Sequence, residues 1–166
     1  MEKTIIDFSA PDEQDRWEII NDAVMGGVSA SRVSITDNKA ALFQGVLSLE
    51  NYGGFASMRT HPREFDLAGF NGLMIRINGD GKDYRLRLRT DTSYEGIAYQ
   101  AHFSTEQDHW IIVRLPFDIF IPVFRGRIIE DAPQLDIAAI QRIGFMVADK
   151  QEGPFRLEIE WVKAYT

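Results

Sequence analysis

The sequence predicts an all-β fold, an antiparallel sandwich or barrel with at most one or two short helical turns. Apolar and polar residues alternate along most of the chain, which is the pattern of half-buried strands. Turn-forming Gly, Asn, Asp and Pro separate the alternating segments. Only residues 136–141 have a helical pattern, with Asp136 as the N-cap, and that segment is too short to connect parallel strands.

The predicted strands cover the chain from one end to the other. The clearest segment is 155–161, where odd positions are apolar up to Trp161 and even positions are charged. Asn78-Gly79-Asp80-Gly81 lies between two alternating segments and predicts a tight hairpin turn. The remaining strand-like segments are 4–8, 28–35, 41–49, 55–60, 73–77, 84–89, 98–103, 110–115 and 143–147.

Length and composition limit the classes of function. The 166 residues suit one domain spanning 1–166, without repeats or linkers. The chain has no cysteine, which excludes disulfides, thiolate nucleophiles and cysteine-ligated zinc. The formal net charge of −7 argues against a nucleic-acid-binding protein that works by bulk charge.

The sequence also suggests a cellular location. No apolar run is long enough for a transmembrane helix, and the first residues do not form a signal peptide. We therefore expect a cytoplasmic protein.

Catalytic signatures are absent from the sequence. It contains no dinucleotide-binding, phosphate-loop, zinc-protease or serine-hydrolase motif. Glu158 and Glu160 share one strand face, but alternation with apolar residues is typical of a solvated outer strand. A hydrolase that uses Asp22, or Glu158 with Glu160, is a minor alternative. We expect no catalytic residue, no metal site and no cofactor.

A row of three arginines is the strongest local anomaly. Arg85, Arg87 and Arg89 occupy alternate positions, so their guanidinium groups project from one sheet face. Neighbouring strands could add Gln100, His102, Arg76 and Arg114 to this face. One interpretation is a binding site for an anionic or polyhydroxylated ligand or an acidic protein surface. The other is a solvated face that Asp and Glu from loops neutralise.

Ordered motifs run along nearly the whole chain: Trp17, Asn21 to Ser29, Phe43-Gln44-Gly45, Asn51 to Arg59, Gly79 to Tyr84, Tyr99-Gln100-Ala101, Trp110, Leu115-Pro116-Phe117, Phe124-Arg125-Gly126, Ile143 to Met146 and Asp149 to Phe155. Together these motifs resemble the complex I intermediate-associated protein 30 family. The chain is similar to a stand-alone bacterial member, because its start is acidic where a transit peptide would be rich in Arg and Ser.

This resemblance implies a galactose-binding-like β-sandwich, a jelly roll, with a non-catalytic role. The mitochondrial members of the family act as assembly chaperones for respiratory complex I, so the implied partner is a protein, such as a respiratory-complex assembly intermediate. We expect it to meet the arginine face or nearby loops. The candidate binding residues are Arg85, Arg87, Arg89, Gln100, His102, Arg114, Arg59, Asn21, Asp22 and Asn51.

Kinship with carbohydrate-binding modules supports an alternative, a lectin-like module that holds a sugar or another polar or anionic small ligand on a concave sheet face. A sugar site normally needs an aromatic ring exposed on the binding face. Tyr99 alternates with Gln100 and is predicted to point away from it. Exposure of Trp110 would favour the lectin-like alternative.

Overall fold

The computed structural model describes residues 1–21, 29–50, 54–90 and 96–166. These residues form β-strands joined by loops and short turns. The strands are β1 (Glu2–Asp7), β2 (Trp17–Asn21), β3 (Ala30–Ile35), β4 (Ala41–Leu47), β5 (Ala56–Thr60), β6 (Gly72–Asn78), β7 (Asp83–Arg89), β8 (Ala98–Ser104), β9 (Trp110–Pro116), β10 (Ile121–Phe124), β11 (Arg127–Ile128), β12 (Arg142–Val147) and β13 (Gly153–Tyr165).

The strands form two sheets. Within each sheet, all pairs of these neighbouring strands are antiparallel. Sheet I has six strands in the order β3-β4-β13-β6-β9, with β1 also paired to β13. Sheet II has seven strands in the order β11-β10-β8-β7-β12-β5-β2. The predicted antiparallel β-sandwich is confirmed.

The core consists of the apolar side chains that the two sheets turn toward each other. Leu86 of β7 and Leu157 of β13 are fully buried members of the same cluster. Phe145 of β12 lies at its centre, with ring centroids 6.1 Å from Trp17 and 6.2 Å from Phe103. Each fully buried side chain of this size contributes about 1.5–3 kcal/mol. The opposite faces of both sheets are therefore left for polar residues and for binding.

The segment predicted as a hairpin turn instead connects the two sheets. β6 lies in sheet I and β7 lies in sheet II, so the prediction of a tight hairpin at 78–81 is wrong. Asp80 holds this connection, because its Oδ1 accepts a hydrogen bond from Tyr84 Oη at 3.0 Å and its Oδ2 accepts one from the Arg156 amide at 2.8 Å. Glycine is required at position 79, since a Cβ there would lie 2.2 Å from Thr105 Cβ.

An irregularity in β13 changes which residues face the core. The register with β6 shifts between Ile159 and Trp161. Val162 and Ala164 are consequently buried, while Trp161 turns to the outer face of sheet I, where Lys163 Nζ lies 4.2 Å from its ring centroid. Simple alternation had predicted that Trp161 faces the core with Ile159.

The described residues contain three 3₁₀ turns and no α-helix: Gln14–Arg16, Phe117–Ile119 and Ile137–Ala139. The last turn lies inside the predicted helical segment. Asp136 occupies the N-cap position of this turn, as predicted, but its side chain makes no capping hydrogen bond. None of the described helical segments is long and apolar enough to cross a membrane.

Candidate binding face

Arginines from three neighbouring strands share the outer face of sheet II. Alternation turns Tyr84, Leu86 and Leu88 of β7 into the core and the residues between them outward. We call the following outward residues the arginine face: Arg59 of β5, Arg142 of β12, Arg85, Arg87 and Arg89 of β7, and Gln100 and His102 of β8.

The strand register brings these residues together in rows across the sheet. Arg87 lies opposite Gln100 on one side and Gly144 on the other, and Gly144 lies opposite Arg59. A parallel row pairs Arg85 with His102, and another pairs Arg89 with Arg142. The predicted grouping of Arg85, Arg87 and Arg89 with Gln100 and His102 is present in the structure.

Gly144 has a packing role in the central row. A Cβ at this position would lie 2.9 Å from the Met58 carbonyl oxygen and 3.0 Å from Arg59 Cβ. A larger residue would push β5 away from β12, so glycine lets Arg59 approach the middle of the face.

The face is recessed although it points away from the core. Arg59 is only 7% exposed, Gln100 5% and Arg142 9%. Charged groups at this depth keep less water, so their interactions with one another and with a ligand are stronger than on an open surface.

Two carboxylates already occupy parts of the arginine face. Glu18 Oε1 on β2 lies 3.0 Å from Arg59 Nε. Asp149, in the turn after β12, pairs with Arg85 and has its Oδ2 3.5 Å from His102 Nε2. Asp149 therefore neutralises Arg85 from a loop, as the second interpretation of the arginine row expected, whereas Glu18 pairs with Arg59 from a strand.

Arg87 differs from these neighbours. Among the described residues it has no carboxylate partner, and its buried Nε and the buried Gln100 Oε1 have no hydrogen-bond partner. Burial, followed by repulsion from Arg89 and the other nearby guanidinium groups, lowers the pKa of Arg87 to about 9. The side chain remains a cation at neutral pH. Arg87 thus contributes a buried donor, and its cross-strand neighbour Gln100 contributes a buried acceptor.

Arg114 and Arg76 do not join the arginine face, so that expectation is wrong. They lie on β9 and β6, which the crossover at 78–81 places in sheet I. Arg114 stacks 4.9 Å from the ring centroid of Tyr165. Arg76 Cζ lies 4.9 Å from the ring centroid of Trp110, and Arg76 Nε lies 2.5 Å from Glu160 Oε2.

The loop residues are the other part of the predicted site. Asn21 ends β2, and its Oδ1 accepts a hydrogen bond from Ser31 Oγ at 2.8 Å. Asn21 therefore connects sheet II to β3 of sheet I and is not part of the arginine face. Asp22 and Asn51 lie outside the described residues.

The described residues give no support to the carboxylate-pair alternative. Glu158 pairs with Arg156 and Glu160 pairs with Arg76, so each acid has its own cation on the outer face of sheet I. No group of three or more His, Asp and Glu side chains within the described ranges is placed to hold a metal ion.

A family model for complex I intermediate-associated protein 30 matches residues 6–159. The chain belongs to this family. A Drosophila melanogaster relative named complex I intermediate-associated protein 30, mitochondrial, is 29% identical over 95% of this chain and 61% of its own length. The mouse relative of the same name is 28% identical, and the match covers 99% of this chain and 56% of the relative. The chain therefore spans little more than half the length of these curated relatives.

The relatives correct the expected cellular location. Those from D. melanogaster, mouse and Caenorhabditis elegans are all named as mitochondrial proteins. The prediction of a cytoplasmic protein is wrong. It relied on the N-terminal residues, which say little when relatives are so much longer than the chain.

Solved structures confirm the galactose-binding-like sandwich expected for the complex I intermediate-associated protein 30 family. A family 11 carbohydrate-binding module from Clostridium thermocellum, in complex with a β-1,3-1,4-mixed-linked tetrasaccharide, has a TM-score of 0.76 and 16% identity, covering 99% of this chain and 95% of the module. An agarase has a TM-score of 0.66 and 7% identity, covering 99% of this chain and 24% of the agarase. Identities this low show the shared fold alone.

Three residues of the arginine face or its surroundings were not predicted as site residues from the sequence. Glu18 lies in β2, which was missed because outward Ile20 interrupts the alternation. Asp149 lies in a turn and has a positive φ of 61°. Only the Asp-Lys sequence at this position indicates the turn. Arg142 immediately precedes a predicted strand, so extending that strand by one residue would have found it.

Proposed function

We propose that this chain is a non-catalytic protein-binding domain, spanning residues 1–166, that assists the assembly of complex I through its arginine face. Membership of a family named for complex I intermediates supports the assembly role. The observation that supports the site is Arg87, a recessed cation without a carboxylate partner in the described part of the chain.

The chemistry of the face suits an acidic protein surface. Planar guanidinium groups bind carboxylates through paired hydrogen bonds. Glu18 binds Arg59 and Asp149 binds Arg85 within the chain itself, each through one hydrogen bond, so the face has room for carboxylates. With a net charge of −7, the rest of the molecule repels polyanions, which favours a local acidic contact over nucleic acid.

The proposal includes no reaction and no cofactor. Its basis is the binding role implied by the relatives' names, together with the separate pairing of Glu158 and Glu160 with arginines.

A carbohydrate ligand is the second candidate. Arg87 Nε is a donor and Gln100 Oε1 an acceptor, and one sugar hydroxyl could bond to both. However, the described outward residues of sheet II include no Phe, Tyr or Trp on which a sugar could stack. Tyr99 is buried, with its hydroxyl bonded to the Pro133 carbonyl oxygen at 2.5 Å, and Trp110 is half-buried in sheet I.

Replacing the arginine row tests the protein-binding proposal. We expect the variant Arg85→Ser/Arg87→Ser/Arg89→Ser to stop retaining complex I subunits from solubilised respiratory membranes, detected with antibodies against known subunits. The matched control removes three cations from sheet I by Arg32→Ser/Arg114→Ser/Lys163→Ser and should retain them. Circular dichroism checks that both variants fold.

Each result has a defined meaning. If the wild-type protein retains no complex I subunit, the assembly role is contradicted. If the arginine variant retains them as well as the control does, the site is contradicted. If titration with a mixed-linked tetrasaccharide shows binding that the arginine variant loses, the carbohydrate candidate replaces the protein partner.

A further inference from the structure

An aliphatic surface continues the arginine face toward the edge of sheet II. β10 pairs with β8 so that Ile121 lies directly opposite Gln100 and Val123 opposite Ala98. β11 then places Ile128 opposite Val123. Directly paired residues project from the same side of a sheet, so these side chains share the face of Arg87 and Gln100. We call Ile121, Val123 and Ile128 the aliphatic ledge.

The ledge is exposed where the arginine face is recessed. Ile128 is 66% exposed and Ile121 is 38% exposed, whereas Val123 beneath them is buried. Two large aliphatic side chains exposed on neighbouring strands at a sheet edge are a common mark of a protein-interaction surface. Adjacent strands lie about 4.8 Å apart, so Ile121 on β10 is only about 10 Å from Arg87 on β7.

The two surfaces together define what a partner must carry. Arg87 needs a hydrogen-bond acceptor with negative charge, because it is a recessed cation among other guanidinium groups. The ledge needs an apolar group, because water is in contact with its isoleucines. A phosphate or nucleic acid would satisfy only the first requirement, and an uncharged apolar helix only the second.

We propose that the occupant of this bipartite surface is an acidic-aliphatic protein segment, with a carboxylate on Arg87 and a neighbouring Leu, Ile or Val side chain covering Ile121 and Ile128. This inference rests on the proposed function, since it specifies the partner of the same face. It adds the aliphatic ledge, which no sequence pattern had identified, and it commits to the charge of the partner.

A contact between a carboxylate and an arginine of this face already exists within the chain. Asp149 Oδ1 binds Arg85 in the row next to Arg87, on the same strand. Position 87 has the same backbone orientation and the same side chain, with a neighbouring amide in Gln100 where Arg85 has the imidazole of His102. A partner carboxylate on Arg87 would thus repeat an arrangement already present one row away.

Binding of short synthetic peptides tests the inference by fluorescence polarisation. The probe is a fluorescein-labelled peptide in which glutamate alternates with leucine and isoleucine, and the comparison peptide carries glutamine at each glutamate. We expect the wild-type protein to bind the glutamate peptide about tenfold or more tightly than the glutamine peptide, because an ionised acceptor strengthens the bond to a guanidinium group. Equal affinity for the two peptides would overturn the inference.

Two variants of the full chain separate the halves of the surface. Arg87→Met should weaken binding of the glutamate peptide about tenfold and remove the preference for glutamate. Ile121→Ser/Ile128→Ser should weaken binding of both peptides by a similar factor while leaving the preference unchanged. The matched controls are Arg114→Met and Ile112→Ser on sheet I, where Ile112 is 53% exposed, and both should bind like wild type.

Thermal unfolding distinguishes a ligand contact from a structural role of Arg87. Arg87→Met should have a higher unfolding temperature than wild type, because it removes a recessed cation for which the described part of the chain supplies no carboxylate. Arg59→Met should lower it, because Glu18 is left without its cation. Weaker binding together with a lower unfolding temperature in Arg87→Met would overturn the inference, since the residue would then support the fold.

The inference and the proposed function can fail separately. If the glutamine peptide binds as well as the glutamate peptide while retention of complex I subunits still requires the arginine row, the function stands and the acidic-aliphatic partner is wrong. If the peptide preference is found but the wild-type protein retains no complex I subunit, the surface is correct and the assembly role is wrong.

Discussion

At the scale of single residues, Tyr84 couples the folded state to pH. Its ring is completely buried, and its hydroxyl donates to Asp80 Oδ1 at 3.0 Å. Burial, followed by the negative charge of Asp80, raises the pKa of Tyr84 far above its ordinary value of 10.0. An unfolded tyrosine loses its proton above about pH 10, whereas the folded one keeps it. The folded state is therefore destabilised as pH rises above this value.

We expect Tyr84→Phe to lower the free energy of unfolding by about 1 kcal/mol at neutral pH, because one buried hydrogen bond is lost. Above about pH 10 the wild-type protein should lose up to about 1.4 kcal/mol per pH unit through Tyr84, and the variant should not. Urea unfolding of both proteins at neutral and alkaline pH measures the difference. A difference that stays constant across this range would contradict the coupling.

Single-residue predictions from the sequence succeed where local alternation decides them. Arg85, Arg87 and Arg89 share a face because every second residue of a strand does so. The exclusion of Arg114 was not predictable in this way, since its sheet depends on pairing between distant segments. That no carboxylate of the described residues pairs with Arg87 depends likewise on where Glu18 and Asp149 lie in three dimensions.

At the scale of elements, β13 is the central strand of sheet I. It pairs with β4 along its first half, with β1 along its second half and with β6 on the other edge. Leu157 lies opposite Phe43 and is fully buried. Losses of packing in this strand therefore affect three neighbouring strands at once.

We expect Leu157→Ala to lower the free energy of unfolding by about 2–5 kcal/mol, because it leaves a cavity in a close-packed region. Ile112→Ala on β9 of the same sheet is the control. Ile112 is 53% exposed, so its truncation should change stability by no more than about 0.5 kcal/mol. Chemical denaturation gives both values, and similar losses in the two variants would contradict the central role of β13.

Element boundaries were predictable where alternation is regular and turns are clear. Ten strands were identified from pattern, whereas β2, β10 and β11 were missed because they are short or break the alternation. The turn at 78–81 has the composition of a hairpin, but contacts of Asp80 with Tyr84 and Arg156 direct it between sheets. The contact with Arg156, 76 residues away along the chain, leaves no mark in the local sequence.

At the scale of the whole molecule, residues 1 and 166 lie side by side. β1 pairs with the end of β13, the Thr166 amide donates to the Met1 carbonyl oxygen at 3.0 Å, and the Met1 amino group donates to Thr166 Oγ1 at 3.0 Å. This closure allows the order of the strands along the chain to be changed without changing the sheets.

We expect a circular permutant that joins residue 166 to residue 1 through a short glycine linker, and opens between the exposed Asp37 and Asn38, to fold with nearly the wild-type unfolding temperature. A permutant opened between Glu158 and Ile159, in the middle of β13, should not unfold cooperatively. Circular dichroism during heating measures both. Equal stability of the two permutants would contradict the prediction.

The position of β13 also has a consequence for biosynthesis. All strands of sheet II have left the ribosome once residue 147 is out, whereas sheet I lacks its centre until residues 153–165 follow. A nascent chain can therefore pair the strands that carry the arginine face while their inner side, with Leu86 and Phe145, has nothing to pack against. The candidate binding strands can therefore pair before the core is closed, and their apolar inner side stays exposed during that interval.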